Sequence, residues 1–542
     1  MQQDDNLHWF KKAIVYSLDV RSFKDGNEDG IGDLKGLVSK FDHLVRLGIN
    51  CIWMTPFYCS NNQDDGYDVL DYCRIDPVFG DFDDFEHLVK KAKAHGVKII
   101  LDLVINHTSI AHPWFKRAVE QPRSVYRDYY IWKKDKPEND REDVVFETVE
   151  DSNWEYHPQA SAYFYHTFYK HQPDLNIVNP RVRKEILKII DFWMAKGIDG
   201  FRIDAVPHIL RNKGDSEFEG DPFDLLDAWQ KAVKRHNPAA ILIGEADVEP
   251  EDYPSFYQDN KLNGLFNFFL NNYLFLALAK GKATPLVNAF RRLPDHGKRP
   301  YLNFIRNHDE LDLERLTEAD RLLVIETFAP DPSMVIYDRG IRRRLPPMVH
   351  DQSRVRLAFS LLLTFPGVPV IRYGEEIGMG DDLNLPERKS VRTAMQWSQN
   401  RNAGFSDVAP QAMQYPLIRQ GCFSYEHINV EAQEKEDESL LRAVRKMIYI
   451  RDSESEFFAH GRFSVLKADN DAVLAYQYQT DDQLVLVLHN FGANEIETTI
   501  DPIRAAKKIT ALFGQAEQVV LSGEGIKFCL TAHSYCWCKI QP

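Results

Sequence analysis

Eight short apolar runs recur along the chain, "AIVYSLDV", "INCIWMTP", "KIILDLVIN", "GFRIDAV", "ILIGEA", "LFNFFL", "YLNFIRNHD" and "VPVIRYGEE", with helix-like segments between them. Strands that are apolar on both faces must be covered on both faces, and strand–helix alternation is how a parallel sheet achieves this. Eight such units predict an α/β fold, a (β/α)8 barrel. The 542 residues exceed one ordinary domain, but a barrel with insertions accounts for most of them. Between "KIILDLVINH" and "DLNIVNPRV" lie about seventy polar and aromatic residues where a short loop would serve, so an insertion follows the third strand. From about Phe457 the helical pattern gives way to alternating runs, "AVLAYQYQ", "QLVLVLHNF" and "KFCLTAHSYCWCKI", which read as an antiparallel β-domain. The expected division is barrel at 1–105, insertion at 106–175, barrel again at 176–455 and β-domain at 456–542.

A formal charge of −15 disfavours nucleic acid and anionic membrane as partners, because phosphate is held by Lys and Arg. With 33 Phe, 23 Tyr and 9 Trp there is ample material for large cores and an aromatic-lined pocket. No basic leader precedes an apolar core at the N-terminus, no run approaches membrane-spanning length, and seven cysteines in no metal or disulfide pattern suit reduced thiols. The expectation is a cytoplasmic protein acting on a neutral or cationic small molecule, with homo-oligomerisation left open.

Barrel catalytic residues gather at the C-terminal ends of different strands. Here the third strand ends in Asp102, Asn106 and His107, the fourth in Arg202 and Asp204, the fifth in Glu245 and the seventh in His308 and Asp309. A single acid at such a place is more often a helix cap or half of a surface pair. Three acids from three strands, with histidines and an arginine among them, point instead to retaining glycoside hydrolysis: one carboxylate attacks the anomeric carbon, another shuttles the proton, a third holds hydroxyls.

"DLVINH", "GFRIDAVPH", "GEAD" and "FIRNHD", in this order, resemble the four signature regions of the α-amylase family, glycoside hydrolase family 13. The resemblance covers nearly the whole chain, including the insertion, which that family calls domain B. It implies Asp204 as nucleophile, Glu245 as general acid/base and Asp309 as the residue gripping sugar hydroxyls. Asp64 and Tyr67 of "DDGYD" resemble the family's clamp and stacking platform for a terminal glucose, His107 and His308 its histidines around the reactive sugar, and Gln172, Arg202 and Arg392 complete the implied substrate-binding set. Arg202, beside Asp204, is expected to favour the ionised carboxylate, whereas Glu245 must hold a proton near neutral pH. "RNHDELDLERL", "GIRRRLPPM" and "INVEAQ" resemble the branch of the family that interconverts maltose and trehalose, so the implied ligands are α-glucosides: maltose, trehalose, sucrose or short maltooligosaccharides. An α-glucosidase or transglycosylase shares the first half of that mechanism and stands as the alternative.

"DGNEDGIGD" offers Asp25, Asn27, Asp29, the carbonyl of Ile31 and Asp33 as an alternating oxygen cage, although Gly36 occupies the place of an EF-hand's bidentate Glu. A solvated acidic turn is the plainer reading. A similar loop in the oligoglucosidase branch implies structural Ca²⁺ there, with Mg²⁺ as the other occupant. Asn106, Asp174 and the backbone near His208 are similar to the family's calcium site at the domain B junction, where Arg211 stands near the position of a relative's acid. No organic cofactor is expected.

Overall fold

The computed structural model describes residues 8–141, 144–214, 216–258, 261–294, 299–481, 483–500, 508–514, 519–522 and 525–541. Its centre is a closed barrel of eight parallel strands: β1 (Val15–Leu18), β2 (Cys51–Met54), β3 (Lys98–Leu103), β4 (Gly200–Ile203), β5 (Ile241–Gly244), β6 (Gly264–Phe266), β7 (Tyr301–Phe304) and β8 (Val368–Arg372). Each strand pairs with the next in sequence and β8 closes on β1.

The apolar runs are continuous because both strand faces are buried by different partners. Alternate residues point inward. Val15, Cys51, Trp53, Ile100, Ile241, Ile243, Leu302, Phe304, Val368 and Val370 fill the barrel, and Phe10, from the helix His8–Lys11, plugs its base. A side chain at Gly264 would meet Leu302 at 2.8 Å and the Phe10 ring at 3.0 Å, so the plug and a bare backbone on β6 require each other. Outward residues such as Tyr16, Ile52, Leu101, Phe201 and Leu242 join the core beneath the helices. Those helices carry their own start signals. Asn179 caps Pro180–Ala195 through the Arg181 N–H, with Pro180 in the first turn. Asp81 and Asp84 form a reciprocal capping box at Phe82–Ala94.

The run "LFNFFL" is only half strand. β6 ends at Phe266, and the Asn267 side chain accepts from the Leu270 N–H to start the helix Phe268–Lys280. An apolar hexamer does not distinguish a buried strand from the buried first turn of a helix.

Between β3 and β4 the chain forms a helix, Pro113–Glu120, and a small antiparallel sheet of Trp132–Lys133, Trp154–His157 and Ala162–Tyr165. A bridge between His107 and Asp174 draws the two ends of this excursion together. After the helix Ser455–His460, the C-terminal strands form a five-stranded and a three-stranded antiparallel sheet. The larger sheet is fastened to the barrel helix Gln352–Thr364: Ser360 Oγ meets His489 Nε2 and accepts from Trp537 Nε1, both at 2.8 Å. Among the described residues no helix is long and apolar enough to cross a membrane.

Candidate active site

The register of the barrel sets the centre of the site. Asp102 on β3 lies opposite Arg202 on β4, and Arg202 and Asp204, two residues apart, point the same way at the strand's end. Arg202, only 2 % exposed, donates through Nη1 to Asp102 Oδ1 (2.8 Å) and Asp204 Oδ1 (2.6 Å), and its Nη2 meets Glu245 Oε2 at 2.9 Å. One guanidinium thus gathers three carboxyl groups from three adjacent strands, and the Trp53 ring supports it from within the barrel at 5.1 Å. Ala205 takes the left-handed conformation (φ 49°), from which its N–H donates to Glu245 Oε2 at 2.9 Å. This strained turn aims the Glu245 carboxyl at Asp204.

One cation cannot neutralise three buried acids. Burial pushes Asp204 up to about 6, with Arg202 opposing and Asp102 and Asp309 adding to the rise. The expected lowering by Arg202 is present but outweighed. Burial pushes Glu245 further, to about 7, again against Arg202 and with help from Asp204. Near neutral pH Asp204 is therefore mostly ionised while Glu245 is half protonated, a pairing suited to nucleophile and acid. Asp102, also raised by burial to about 6, was legible only as a strand-end acid, and its contact to Arg202 makes it part of the same group.

Asp309 behaves in the opposite way. Burial alone would raise it, but His308, Arg388 and Arg392 together hold its carboxyl well below the usual range. Arg388 Nη1 and Arg392 Nη2 both donate to Asp309 Oδ1, at 2.7 and 2.8 Å. Tyr67 stacks on His308 with rings 5.4 Å apart and 2° from parallel, and its hydroxyl meets His308 Nε2 (2.7 Å) and donates to Asp102 Oδ2 (2.9 Å). His107 Nε2 lies 3.1 Å from the Tyr67 carbonyl, and Gln172 Nε2 donates to Asp64 Oδ2 at 3.0 Å.

Asp64, Tyr67, His107, Gln172, Asp204, Glu245, His308 and Asp309 line one cavity of 80 Å³. Arg202 and Arg392 do not form its wall. Arg202 stands behind Asp204 and Glu245, while Arg392 ties Asp309 to Asp65 by a 2.7 Å bond, so both hold carboxylates. Residues unanticipated from sequence complete the wall: Arg388, Phe146 and Phe168. Arg388 shares "ERKSVRT" with Arg392, and four-residue spacing of two arginines was the one available hint.

The two metal expectations part company. At Asn106 and Asp174 the cation is a side chain: Lys213 Nζ donates to Asn106 Oδ1 and to Asp174 Oδ2, each at 2.6 Å, from a position 3 % exposed. Those oxygens do not fit a metal while Lys213 is there. Arg211, which sequence had suggested as the disturbance, reaches instead to the Tyr165 hydroxyl at 3.1 Å. In the Asp25–Asp33 loop the donors are hard oxygens suited to Ca²⁺ or Mg²⁺, but the turn is already closed by its own amides. Asp25 accepts from the N–H groups of Asn27, Glu28 and Gly30 and from Ser406 Oγ, and Asp33 accepts from those of Gly26, Asn27 and Gly36.

Comparison with known proteins agrees with this geometry. Residues 18–328 and 342–461 match the alpha amylase catalytic domain, and residues 463–537 match the maltogenic amylase C-terminal domain. A trehalose synthase of Thermus thermophilus is 41% identical over 492 residues, which are 89% of this chain and 50% of that protein, so this chain spans half its length. A trehalose synthase/amylase of Mycolicibacterium smegmatis is 39% identical over 481 residues, covering 87% of this chain and 80% of the relative. Among solved structures, a trehalulose synthase superposes with a TM-score of 0.79 at 25% identity, covering 98% of this chain and all of the other. Barrel, strand-end acids and family match converge: the chain belongs to the α-amylase family of glycoside hydrolases.

Proposed function

We propose that the protein interconverts maltose and trehalose through a covalent glucosyl-enzyme. The observation that carries the covalent step is Arg202 holding Asp204 and Glu245 on its two terminal nitrogens, the close pairing of carboxyl groups that retaining enzymes use; the trehalose outcome is supported by relatives described as trehalose synthases. Asp204 attacks the anomeric carbon as Glu245 gives its proton to the departing oxygen, so the glycosidic bond breaks and a glucosyl ester forms. The released glucose, kept in place, re-attacks through its own anomeric hydroxyl. Glu245 takes that proton back, the ester bond breaks and trehalose results. If water attacks instead, the outcome is hydrolysis, and a relative described as both trehalose synthase and amylase favours this as a side reaction.

Pure enzyme incubated with maltose should yield trehalose early, with glucose as the lesser product and no accumulation of maltotriose. Glucose alone at all times would assign the protein to the α-glucosidases.

The pH dependence follows from the two shifted acids. Asp204 must be ionised, so kcat/KM falls as pH drops through about 6; Glu245 must carry its proton, so it falls as pH rises through about 7. The profile should be a narrow bell with its optimum between them. A plateau extending to pH 9 would remove Glu245 from the acid role.

The Asp25–Asp33 loop is proposed to hold Ca²⁺ or Mg²⁺, supported by its oxygen donors. Because its amides already close the turn, chelation should lower Tm by only a few degrees, about 1 kcal/mol or less, and leave the chemistry of surviving enzyme unchanged. Seven cysteines, none of them in a disulfide among the described residues, suit a reducing compartment and support a place in the cytoplasm.

A further inference from the structure

The sugar cavity of 80 Å³ lies far below the roughly 300–1,000 Å³ of ordinary small-molecule sites. Next to it is an outer chamber of 160 Å³, and Phe146, Phe168 and Arg388 line both. Arg388 stands on the wall common to both chambers and is held there by charge. Its Nη2 donates to Asp64 Oδ1 (2.9 Å) while Nη1 donates to Asp309 Oδ1, so it spans the two carboxylates that a bound glucose would use.

What holds Arg388 there is a knot of three segments remote in sequence. Tyr169 comes from the insertion, Tyr337 from the chain after β7, and Glu387 from the turn Glu387–Val391 after β8. The Tyr169 hydroxyl meets that of Tyr337 at 3.0 Å and donates to Glu387 Oε2 at 2.9 Å. Beneath it the Phe146 ring stacks on Tyr337 (4.5 Å) and packs on Tyr169 (4.7 Å), and the Arg388 guanidinium lies over Phe146 at 5.3 Å. These rings form an apolar cluster separate from the main core. Tyr337, Asp338 and Glu387 all carry positive φ, at 54°, 55° and 44°. Non-glycine residues keep that conformation where their surroundings over-determine it. The knot is such a surrounding, and opening it lets two strained segments relax.

We propose that Tyr169, Tyr337 and Glu387 are a latch that governs the outcome of the reaction by holding the cleaved glucose in and water out; the claim about outcome rests on the mutase reading, the claim about access does not. None of the three lines either chamber, so their effect on the chemistry runs through Arg388 and Phe146. Each should change what leaves the site more than how fast the glycosidic bond is cut.

Tyr337→Phe and Glu387→Met remove one hydrogen bond each while keeping the rings and most of the volume. Trp53 lies edge-on to His308 at 5.7 Å and reports occupancy by fluorescence. Release of 1-deoxynojirimycin, a glucose-shaped iminosugar, followed by stopped-flow, should quicken about fivefold in each variant, the factor expected for one lost hydrogen bond. With maltose, the share of turnovers ending in free glucose and the entry of labelled external glucose into trehalose should rise by a similar factor. Unchanged iminosugar release in variants with wild-type Tm overturns the latch, and this arm decides even if the wild type makes no trehalose, a result that ends the mutase reading alone. Faster release with an unchanged product ratio overturns its control of outcome. Should Tyr337→Phe fail to fold, Glu387→Met, at a half-buried surface turn, carries both readings by itself.

Discussion

Asp204→Asn should lower turnover of maltose and trehalose alike by on the order of 10⁴-fold or more, because an amide cannot form the glucosyl ester. The substitution is nearly isosteric. Its side-chain oxygen still accepts from Arg202 Nη1, and Asp102 and Glu245 still balance the guanidinium, so Tm should move little. Removing one negative charge also relieves Glu245, whose carboxyl Asp204 helps to push up. Any residual activity should therefore lose its upper pH limit at a lower pH than the wild type. Intact-mass analysis after a fluorinated glucosyl fluoride supplies a separate check: the wild type should gain one glucosyl adduct and the variant none. A folded Asp204→Asn that retains a tenth of wild-type turnover, or that still labels, would place the nucleophile elsewhere.

How much of this site could be read before the fold was known depends on where each residue sits. Strand positions were legible. Eight apolar runs define eight strand ends, and three acids at such ends are poorly explained as separate helix caps, so Asp204, Glu245 and Asp309 could be singled out, their roles coming from the family resemblance, and the structure brings them to one cavity. The partnership of Arg202 with Asp204 follows from their two-residue spacing on a strand, which puts both on one face. The direction of its effect was legible, but the net outcome was not. Sequence shows that a cation is near Asp204, but it does not show that the same cation is shared with Asp102 and Glu245 or that burial outweighs it. Loop residues were not legible. Phe146, Tyr169, Tyr337 and Arg388 come from three excursions of the chain, have no common period, and acquire their role only where those excursions meet. The same holds for Lys213. "RNKGD" reads as an ordinary solvated turn, and nothing in its spacing announces that its ammonium ends between Asn106 and Asp174.

That lysine carries the second large effect. Lys213→Met shortens the side chain by its terminal atom and removes the charge, leaving Asp174 buried with no exposure and answered by the Thr167 N–H (2.9 Å) and Oγ1 (2.6 Å). Breaking a buried pair on one side costs about 3–5 kcal/mol, because the remaining charge stays desolvated. The Asp174 carboxyl, which Lys213 now holds below its ordinary range against the opposing effect of burial, should rise once the ammonium is gone. The variant's stability should then fall less at acid pH, where Asp174 can take up a proton, than at pH 7. The loss should reach the site, since the bridge between Asp174 and His107 links this pair to the cavity wall. Calcium separates this account from a general packing defect. With the ammonium removed, Asn106 Oδ1 and Asp174 Oδ2 are two hard oxygens facing a cation-sized gap, so millimolar Ca²⁺ should raise the Tm of Lys213→Met while leaving the wild type's junction unaffected. A Tm for Lys213→Met within 2 °C of the wild type would mean that the ammonium does not stabilise the junction as its geometry indicates.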